Sequence, residues 1–267
     1  MHVIFAGVGE AIDESHPNTS LLVVAPSGGK SPQLLLDCGF TAAHAFYRFS
    51  PAPMDLEAVW ISHFHGDHFL GLPLLLLRFW EEGRERPLTL VGQAGIRDHV
   101  EQAMNLAYPN FLSKIRYTLE FIDVSSGKPL SLAGFAWSFA ENGHTCPCLA
   151  LRLDHEKDAL FYSSDGRPTD ETLALARGAG LIVHEAFGLE PDTPGHGTVD
   201  RCLGFARKAR ARALALVHMN REVRRDHGMA IKKKLEKLEG LTAFLPEPGD
   251  RFHMQDLRLE PAVGREN

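Results

Sequence analysis

The sequence contains few cysteines, and their spacing excludes the commonest structural zinc sites. The four cysteines are Cys38, Cys146, Cys148 and Cys202. Cys146 and Cys148 are separated by one residue, which is too close for a usual zinc-binding pair, and the chain has no second such pair. We therefore expect reduced thiols in a cytoplasmic protein. For Cys146 a buried structural role is favoured over a position in a pocket wall.

Long hydrophobic runs and an excess of positive charge are also lacking. The apolar stretch at 69–80 is too short to span a bilayer and is typical of a buried helix. The first residues do not show a basic segment followed by a long apolar one, so we expect no signal peptide and no membrane partner. The net charge of −6 is not the basic footprint of a dedicated nucleic-acid-binding protein, although it allows a local basic patch.

The chain is rich enough in apolar residues, at 44% of 267, to bury a sizeable core. Strand-like runs dominate the first half, including a hairpin with a turn at 27–31, and strands alternate with helices in the second half. Helices are expected over 68–82 and 226–239. This order predicts two sheets packed face to face with helices outside. The sequence has no repeat and no clear linker, so a single domain over 1–267 is expected.

Histidine is abundant, with fourteen residues, and three of them lie in the segment SHFHGDH at 62–68. His63 and His65 follow an apolar strand and, two residues apart, point the same way if the strand continues. Asp67 and His68 follow in a turn and at the start of the next helix. Such a segment can present ligands to two nearby ions. A surface histidine cluster is the alternative, which the preceding apolar strand disfavours.

Three further metal-capable residues directly follow apolar runs, where loops at strand ends often build sites. They are His144, Asp165 and His218. Any one of them alone is more typical of a structural residue. Together with the cluster at 62–68, they predict a metal site assembled from distant parts of the chain.

The motif HxHxDH at 63–68 is the signature of the metallo-β-lactamase superfamily, and nearly the whole chain resembles its ribonuclease Z branch. The segments that carry this resemblance are PNTSLLV (17–23), LLLDCG (34–39), GHTCPCLALRL (143–153), FYSSDGRPTDE (161–171), LIVHEAF (181–187), GHGTVDRCLGFARKA (195–209) and LALVHMN (214–220). The resemblance implies an α+β fold, a four-layer αβ/βα metallo-β-lactamase sandwich with a dinuclear site at one edge.

The resemblance also implies a set of ligands for two ions. The first ion would be bound by His63, His65 and His144, the second by Asp67, His68 and His218, and both by Asp165 together with a bridging water or hydroxide. Imidazole and carboxylate ligands suit zinc, with manganese or iron as alternatives. Asp67 would also act in catalysis. Asp37 would orient a ligand histidine, although a turn aspartate at a strand end is nearly as good an interpretation.

A catalytic pair follows from the same resemblance. His196 would face the substrate phosphate and protonate the leaving oxygen as general acid, while Glu185 would hold its tautomer. Without the resemblance, both would be interpreted as ordinary strand-end and loop residues. We expect the neighbouring His184 to be structural.

The chain departs from tRNA-processing members of the branch in two places. His144 and Asp165 are separated by only 20 residues, which leaves no room for the arm that grips tRNA in bacterial members. Met219 and Asn220 replace a serine-bearing motif that is common after the last histidine. We therefore expect a small substrate and not tRNA. Family members are often homodimers.

The leading hypothesis is a metal-dependent hydrolase acting on a small phosphodiester. The same site would suit an ester or lactone hydrolase, and an arm-less tRNA 3′-processing endoribonuclease is a further alternative. A non-hydrolytic binding member is the alternative from a different class, which the full ligand set disfavours.

Overall fold

The computed structural model describes residues 1–25 and 32–262. Within these ranges the chain forms fifteen strands and seven α-helices, with two short 3-10 helices. The strands are β1 (His2–Gly7), β2 (Ser20–Val24), β3 (Gln33–Leu36), β4 (Leu56–Ile61), β5 (Leu88–Gln93), β6 (Leu119–Val124), β7 (Leu130–Leu132), β8 (Phe135–Glu141), β9 (Leu149–His155), β10 (Asp158–Tyr162), β11 (Leu181–Glu185), β12 (Ala213–Val217), β13 (Thr242–Phe244), β14 (Arg251–His253) and β15 (Arg258–Glu260). The helices are α1 (Ala42–Phe49), α2 (Gly66–Phe69), α3 (Leu72–Glu81), α4 (Ile96–Ala107), α5 (Asp170–Ala176), α6 (Val199–Ala209) and α7 (Arg221–Glu236).

The strands form two sheets. The first has the order β15-β14-β1-β2-β3-β4-β5-β6, and the second has the order β13-β12-β11-β10-β9-β8-β7. Strands β2 and β3 pair antiparallel as the hairpin prediction requires, whereas its turn at 27–31 lies outside the described residues. Parallel pairing joins β3 to β4 in the first sheet and β10, β11 and β12 in the second.

The sheets are buried on both faces, which gives four layers. In β4, Trp60 points into the core between the sheets, whereas Val59 and Ile61 face α1, α3 and α4. In β12, Ala215 lies in the same central core, whereas Leu214 faces the core under α5, α6 and α7. Successive side chains of a strand point to opposite faces, so a strand buried on both faces is apolar throughout. The predicted αβ/βα sandwich is confirmed.

Two helices differ from their predicted bounds. The helix expected over 68–82 is divided into α2 and α3 around Gly71, whose N–H donates to the carbonyl oxygen of Cys38 at 2.8 Å. A Cβ at Gly71 would lie 2.0 Å from the carbonyl oxygen of Gly39, so only glycine fits this close approach. Helix α7 begins five residues before the predicted 226, because Asn220 caps it by accepting from the N–H groups of Glu222 and Val223.

The parallel strands β3, β4, β10, β11 and β12 bring their carboxyl ends to one edge of the sandwich, where loops from both sheets meet. Among the described residues, no helix is long and apolar enough to cross a membrane.

Candidate metal centre

The structure brings all seven predicted ligands together at this edge, in two groups. The first contains His63, His65 and His144 together with Cys146, and one potential ligand atom from each lies within 4.8 Å of the others. Nδ1 of His65 is 3.3 Å from Nε2 of His144, so these two nitrogens converge on one point.

The second group contains Asp67, His68, Asp165 and His218, all of them buried. Nε2 of His68 lies 3.3 Å from Oδ2 of Asp67 and 3.2 Å from Oδ1 of Asp165. Nε2 of His218 lies 3.2 Å and 3.4 Å from the same two oxygens. Asp165 also lies within 4.8 Å of His144, so it is the carboxylate that lies between the groups, as expected of a bridging ligand.

Hydrogen bonds determine which nitrogen several of these histidines direct into the centre. Nδ1 of His68 donates to the Asp37 carboxylate (2.8 Å), and Nδ1 of His144 donates to the Gly195 carbonyl oxygen (3.1 Å). Ser62 donates its hydroxyl proton to Asp37, so it accepts from Nδ1 of His63 (3.0 Å). In its neutral form an imidazole carries one N–H, so each of these three rings, once neutral, has its proton on Nδ1 and presents the lone pair of its Nε2 to the centre.

Buried polar atoms that make no hydrogen bond to a described residue are found here. Nε2 of His63 is one of them, and Nε2 of His68 and Oδ1 of Asp165 are two more, which lie 3.2 Å apart as an ion pair without hydrogen-bond geometry. Buried polar atoms are normally paired, so this concentration of lone pairs is an observation that a cation would explain. A set of imidazole nitrogens and carboxylate oxygens suits zinc, manganese or iron. The residues present therefore fit divalent ions in both groups.

The electrostatics of the two groups differ. Burial is the main reason that the pKa of His63 lies well below its usual value, which keeps the ring neutral and able to coordinate. Burial alone would raise the pKa of Asp165, but His218 and His68 outweigh it and hold the pKa of this carboxyl well below its usual range. Asp165 is therefore ionised and provides negative charge at the middle of the centre.

Asp37 accepts hydrogen bonds from several residues beneath the second group. Its side chain is fully buried and accepts from the Ser62 N–H (2.8 Å), the Tyr162 hydroxyl (2.9 Å) and His68. The sequence predicts Asp37 near a ligand histidine but does not predict its contacts with Ser62 and Tyr162. Ser62 directly precedes the histidine cluster, which is a usable signal. Tyr162 gives no such signal, because its contact depends on how the two sheets pack.

Glu185 and His196 lie beside the centre, but Glu185 has more partners than expected. Its carboxylate accepts from the backbone N–H groups of Gly166 (3.1 Å), Gly197 (2.7 Å) and Phe187 (3.0 Å). Nδ1 of His196 lies 3.4 Å from Oε1 of Glu185, and one of its ring nitrogens lies within 4.8 Å of ligand atoms of His144 and Asp165. Glu185 therefore ties the segments that carry Asp165 and His196 to one another.

His184 is not part of these groups. It is fully buried, its Nδ1 bonds to the backbone oxygen of Glu185 (2.8 Å), and its ring packs against Phe161 and Phe205. This arrangement agrees with the structural role expected from the sequence.

Three residues at the centre have strained backbones. Asp37, Ser164 and His218 adopt φ values of 61°, 52° and 52°, in the left-handed region that costs a non-glycine residue free energy. Asp37 and His218 immediately follow β3 and β12, and Ser164 is the second residue after β10. Such strain persists where surrounding contacts hold the backbone in place. Here the strained residues direct side chains from both sheets towards the centre.

The cysteines are all unpaired. Cys38, Cys148 and Cys202 are buried, whereas the buried role favoured for Cys146 is wrong, because Cys146 is partly exposed beside the first group. Its sulfur lies 3.5 Å from Nε2 of His65. Burial, followed by the nearby Asp165 carboxylate, raises the pKa of the Cys146 thiol above its usual value.

Comparison with known proteins supports the same grouping. The sequence model of the family described as "Anti-Pycsar protein Apyc1" matches residues 1–238. The chain is 23% identical to a ribonuclease Z of Methanosarcina mazei, over 90% of this chain and 94% of that protein. Its fold is similar to that of the metallo-β-lactamase fold protein YhfI of Bacillus subtilis, with a TM-score of 0.75, 22% identity and coverage of 94% and 99% of the two chains. It is also similar to a diphosphatase from the PhnP family, with a TM-score of 0.71, 18% identity and coverage of 97% and 99%.

These similarities, together with the two groups of metal-capable side chains, confirm the predictions of a ribonuclease Z-like branch and a metal-dependent hydrolase. The chain therefore belongs to the family of the Anti-Pycsar protein Apyc1, within the ribonuclease Z-like branch of the metallo-β-lactamase superfamily.

Proposed function

We propose that this chain is a dinuclear metal-dependent phosphodiesterase that hydrolyses a small cyclic or nucleotide-derived phosphodiester. The observation that carries the proposal is the position of Asp165 between two groups of ligand atoms, with His196 beside it. Two bound divalent ions would polarise a phosphoryl oxygen and lower the pKa of a water molecule. Zinc is the proposed metal, with manganese or iron as alternatives, because the ligand atoms are imidazole nitrogens and carboxylate oxygens.

The protein's own residues prepare the site for this reaction. Asp67, Asp165 and the histidines supply the ligand atoms, while Asp37 and Gly195 direct ring nitrogens inwards. His196 is the proposed general acid, which gives a proton to the alkoxide that leaves phosphorus. Its position supports that role, because a ring nitrogen lies within 4.8 Å of Asp165 and its Nδ1 faces Glu185.

A small substrate is proposed because the segment between His144 and Asp165, which the structure describes throughout, leaves no room for an arm to hold a large one. Strands β9 and β10, joined by the two residues Glu156 and Lys157, account for most of the segment between His144 and Asp165. The acidic balance of the chain also disfavours a grip on tRNA, which depends on neutralising phosphates. Two of the similar proteins are named as a ribonuclease Z and a diphosphatase, and enzymes of both kinds cleave bonds to phosphorus.

We also propose a single domain and a cytoplasmic location. One hydrophobic core is shared by both sheets, and the centre takes side chains from both, which supports a single folding unit. Four unpaired thiols suit a reducing compartment.

A panel of substrates tests the proposal. The zinc-loaded chain is expected to hydrolyse bis-p-nitrophenyl phosphate and cyclic mononucleotides much faster than a chromogenic lactone or a carboxylic ester. Faster hydrolysis of the lactone would replace the proposal with the ester-hydrolase alternative. Accurate cleavage of a precursor tRNA at rates above those for small diesters would replace it with the ribonuclease.

A further inference from the structure

The outer nitrogens of the ligand histidines show a pattern that points to Cys146. For His63, His68 and His144, the ring nitrogen facing away from the centre donates to Ser62, Asp37 and the Gly195 carbonyl oxygen, respectively. Partners of this kind fix the tautomer and the orientation of a ligand imidazole. Hydroxyl, carboxylate and carbonyl oxygens are usual in this role. His65 has none of them as a partner of its outer nitrogen among the described residues.

The orientation of His65 follows from its two nitrogen contacts. Nδ1 lies 3.3 Å from Nε2 of His144, and a ring nitrogen of His63, whose Nε2 is buried and makes no hydrogen bond to a described residue, lies within 4.8 Å of ring nitrogens of both. A cation bound by all three rings, as the proposed function requires, would take a lone pair from each of these nitrogens. Nδ1 of His65 must then present a lone pair, so its single proton is on Nε2. The atom that Nε2 contacts is the sulfur of Cys146, at 3.5 Å.

We propose that Cys146 is a positioning residue for the first metal site, whose sulfur accepts the Nε2–H of His65 and thereby directs His65 Nδ1 towards the ion. The proposal rests on the metal centre of the proposed function. A thiol sulfur is a weak acceptor, so its effect is expected near the lower end of the 10–100-fold range for such partners.

The position of Cys146 in the fold supports this role over a purely packing one. The thiols of Cys38, Cys148 and Cys202 are buried among strands and helices, whereas Cys146 is partly exposed in the loop before β9. Cys148, two residues later, contacts the outer Nδ1 of His63 at 3.6 Å, alongside Ser62. The short segment from His144 to Cys148 therefore supplies one ligand to the first group and sulfur contacts to the outer nitrogens of the other two.

Metal release measures the effect separately from catalysis. The full chain and its Cys146→Ala and Cys146→Ser variants are loaded with zinc, and loss of each ion to an excess of EDTA is followed. We expect Cys146→Ala to lose one of its two ions about 10-fold faster than the unchanged chain. Cys146→Ser is the matched control, because its hydroxyl also accepts a hydrogen bond, and it should recover most of the difference. Equal rates for Cys146→Ala and the unchanged chain, or no recovery in Cys146→Ser, would overturn the proposal.

Spectroscopy of the unchanged chain gives a test that needs no variant. In the zinc-loaded protein, nitrogen-15 correlation spectra should show His65 protonated at Nε2, and the opposite tautomer would contradict the proposal. In the cobalt-loaded protein, a sulfur-to-cobalt charge-transfer band would show that Cys146 binds the ion directly and would also overturn it. Absence of bound zinc in the unchanged chain would instead refute the dinuclear function, so the two failures are distinguishable.

Discussion

Nδ1 of His68 lies 2.8 Å from Oδ2 of Asp37, and both side chains are fully buried. The same carboxylate oxygen accepts from the hydroxyl of Tyr162, which belongs to the other sheet. Asp37 therefore connects the two sheets directly beneath the second group of metal-capable residues. Burial alone would lower the pKa of His68, but the carboxylates of Asp165 and Asp37 outweigh it and raise that pKa well above its usual value. The acceptor at Nδ1 is thus part of what orients this ring.

Replacing Asp37 should weaken the second metal site. In Asp37→Asn the amide is nearly the same size but is a weaker acceptor for His68 Nδ1, and we expect metal affinity to fall about 10–100-fold. Competition with a fluorescent zinc chelator measures the affinity. Tyr162→Phe is the matched control, because it removes one donor to Asp37 without touching His68 and should lower affinity less. Equal affinity in Asp37→Asn and the unchanged chain would contradict this role.

His196→Ala should remove the proposed general acid and leave metal binding intact. We expect the rate of hydrolysis of an alkyl phosphodiester to fall by roughly 10²–10⁴-fold, while two ions per chain are retained. The loss should be much smaller for a p-nitrophenyl diester, because its leaving group needs little protonation. Comparing kcat for both substrates and measuring metal content checks this. Full activity of His196→Ala on the alkyl diester would show that this histidine is not the acid.

Glu185→Gln separates two roles of Glu185. If the residue only orients His196, the variant should lose activity and keep its stability. The structure instead gives the carboxylate three backbone N–H donors, and an amide cannot accept from all of them. We therefore expect the free energy of unfolding to fall by about 1–3 kcal/mol. Urea denaturation measures the change. An unchanged midpoint would show that the Glu185 carboxylate does not stabilise the fold by joining the segments that carry Asp165 and His196.

His2 should make the chain less stable in acid. Burial, then Arg251 and other nearby positive charges, lowers the pKa of His2 to about 4 in the folded chain. The unfolded chain has the ordinary value of about 6.5, so it binds the proton first as the pH falls. The stabilising effect of the neutral ring is complete above pH ~6.5 and is lost progressively towards pH ~4.

The matching variant is His2→Gln, which has no charge to gain. Because His2 is only partly buried, we expect it to account for only a fraction of the stability that the chain loses as the pH falls. The difference in unfolding midpoint between pH 7.5 and pH 4.5 should be smaller in His2→Gln than in the unchanged chain. Parallel curves for the two proteins would contradict the assignment.

The metal-capable residues were predictable because their signals are local. His63, His65, Asp67 and His68 lie within six positions, and His144, Asp165 and His218 each follow an apolar run. The strands could be found without an alternation of apolar and polar residues, because strands buried on both faces are apolar throughout. The four layers then followed from the order of strands and helices.

The residues that support the ligands were harder to predict, because their contacts join distant parts of the chain. Tyr162 reaches Asp37 across 125 positions, and Cys146 reaches His65 across 81. Neither contact leaves a trace in spacing or composition. The division of the helix at Gly71 was missed for the same reason, since it depends on the close approach of Gly39.

Metal titration linked to activity tests the central claim most directly. Zinc is added in steps to the metal-free chain, and bound metal and hydrolysis of bis-p-nitrophenyl phosphate are measured in the same samples. We predict two ions per chain, with activity that develops as both sites fill, and loss of metal and activity in Asp165→Ala. Full activity at one ion per chain, or phosphodiester hydrolysis that is unaffected in Asp165→Ala, would contradict a dinuclear phosphodiesterase.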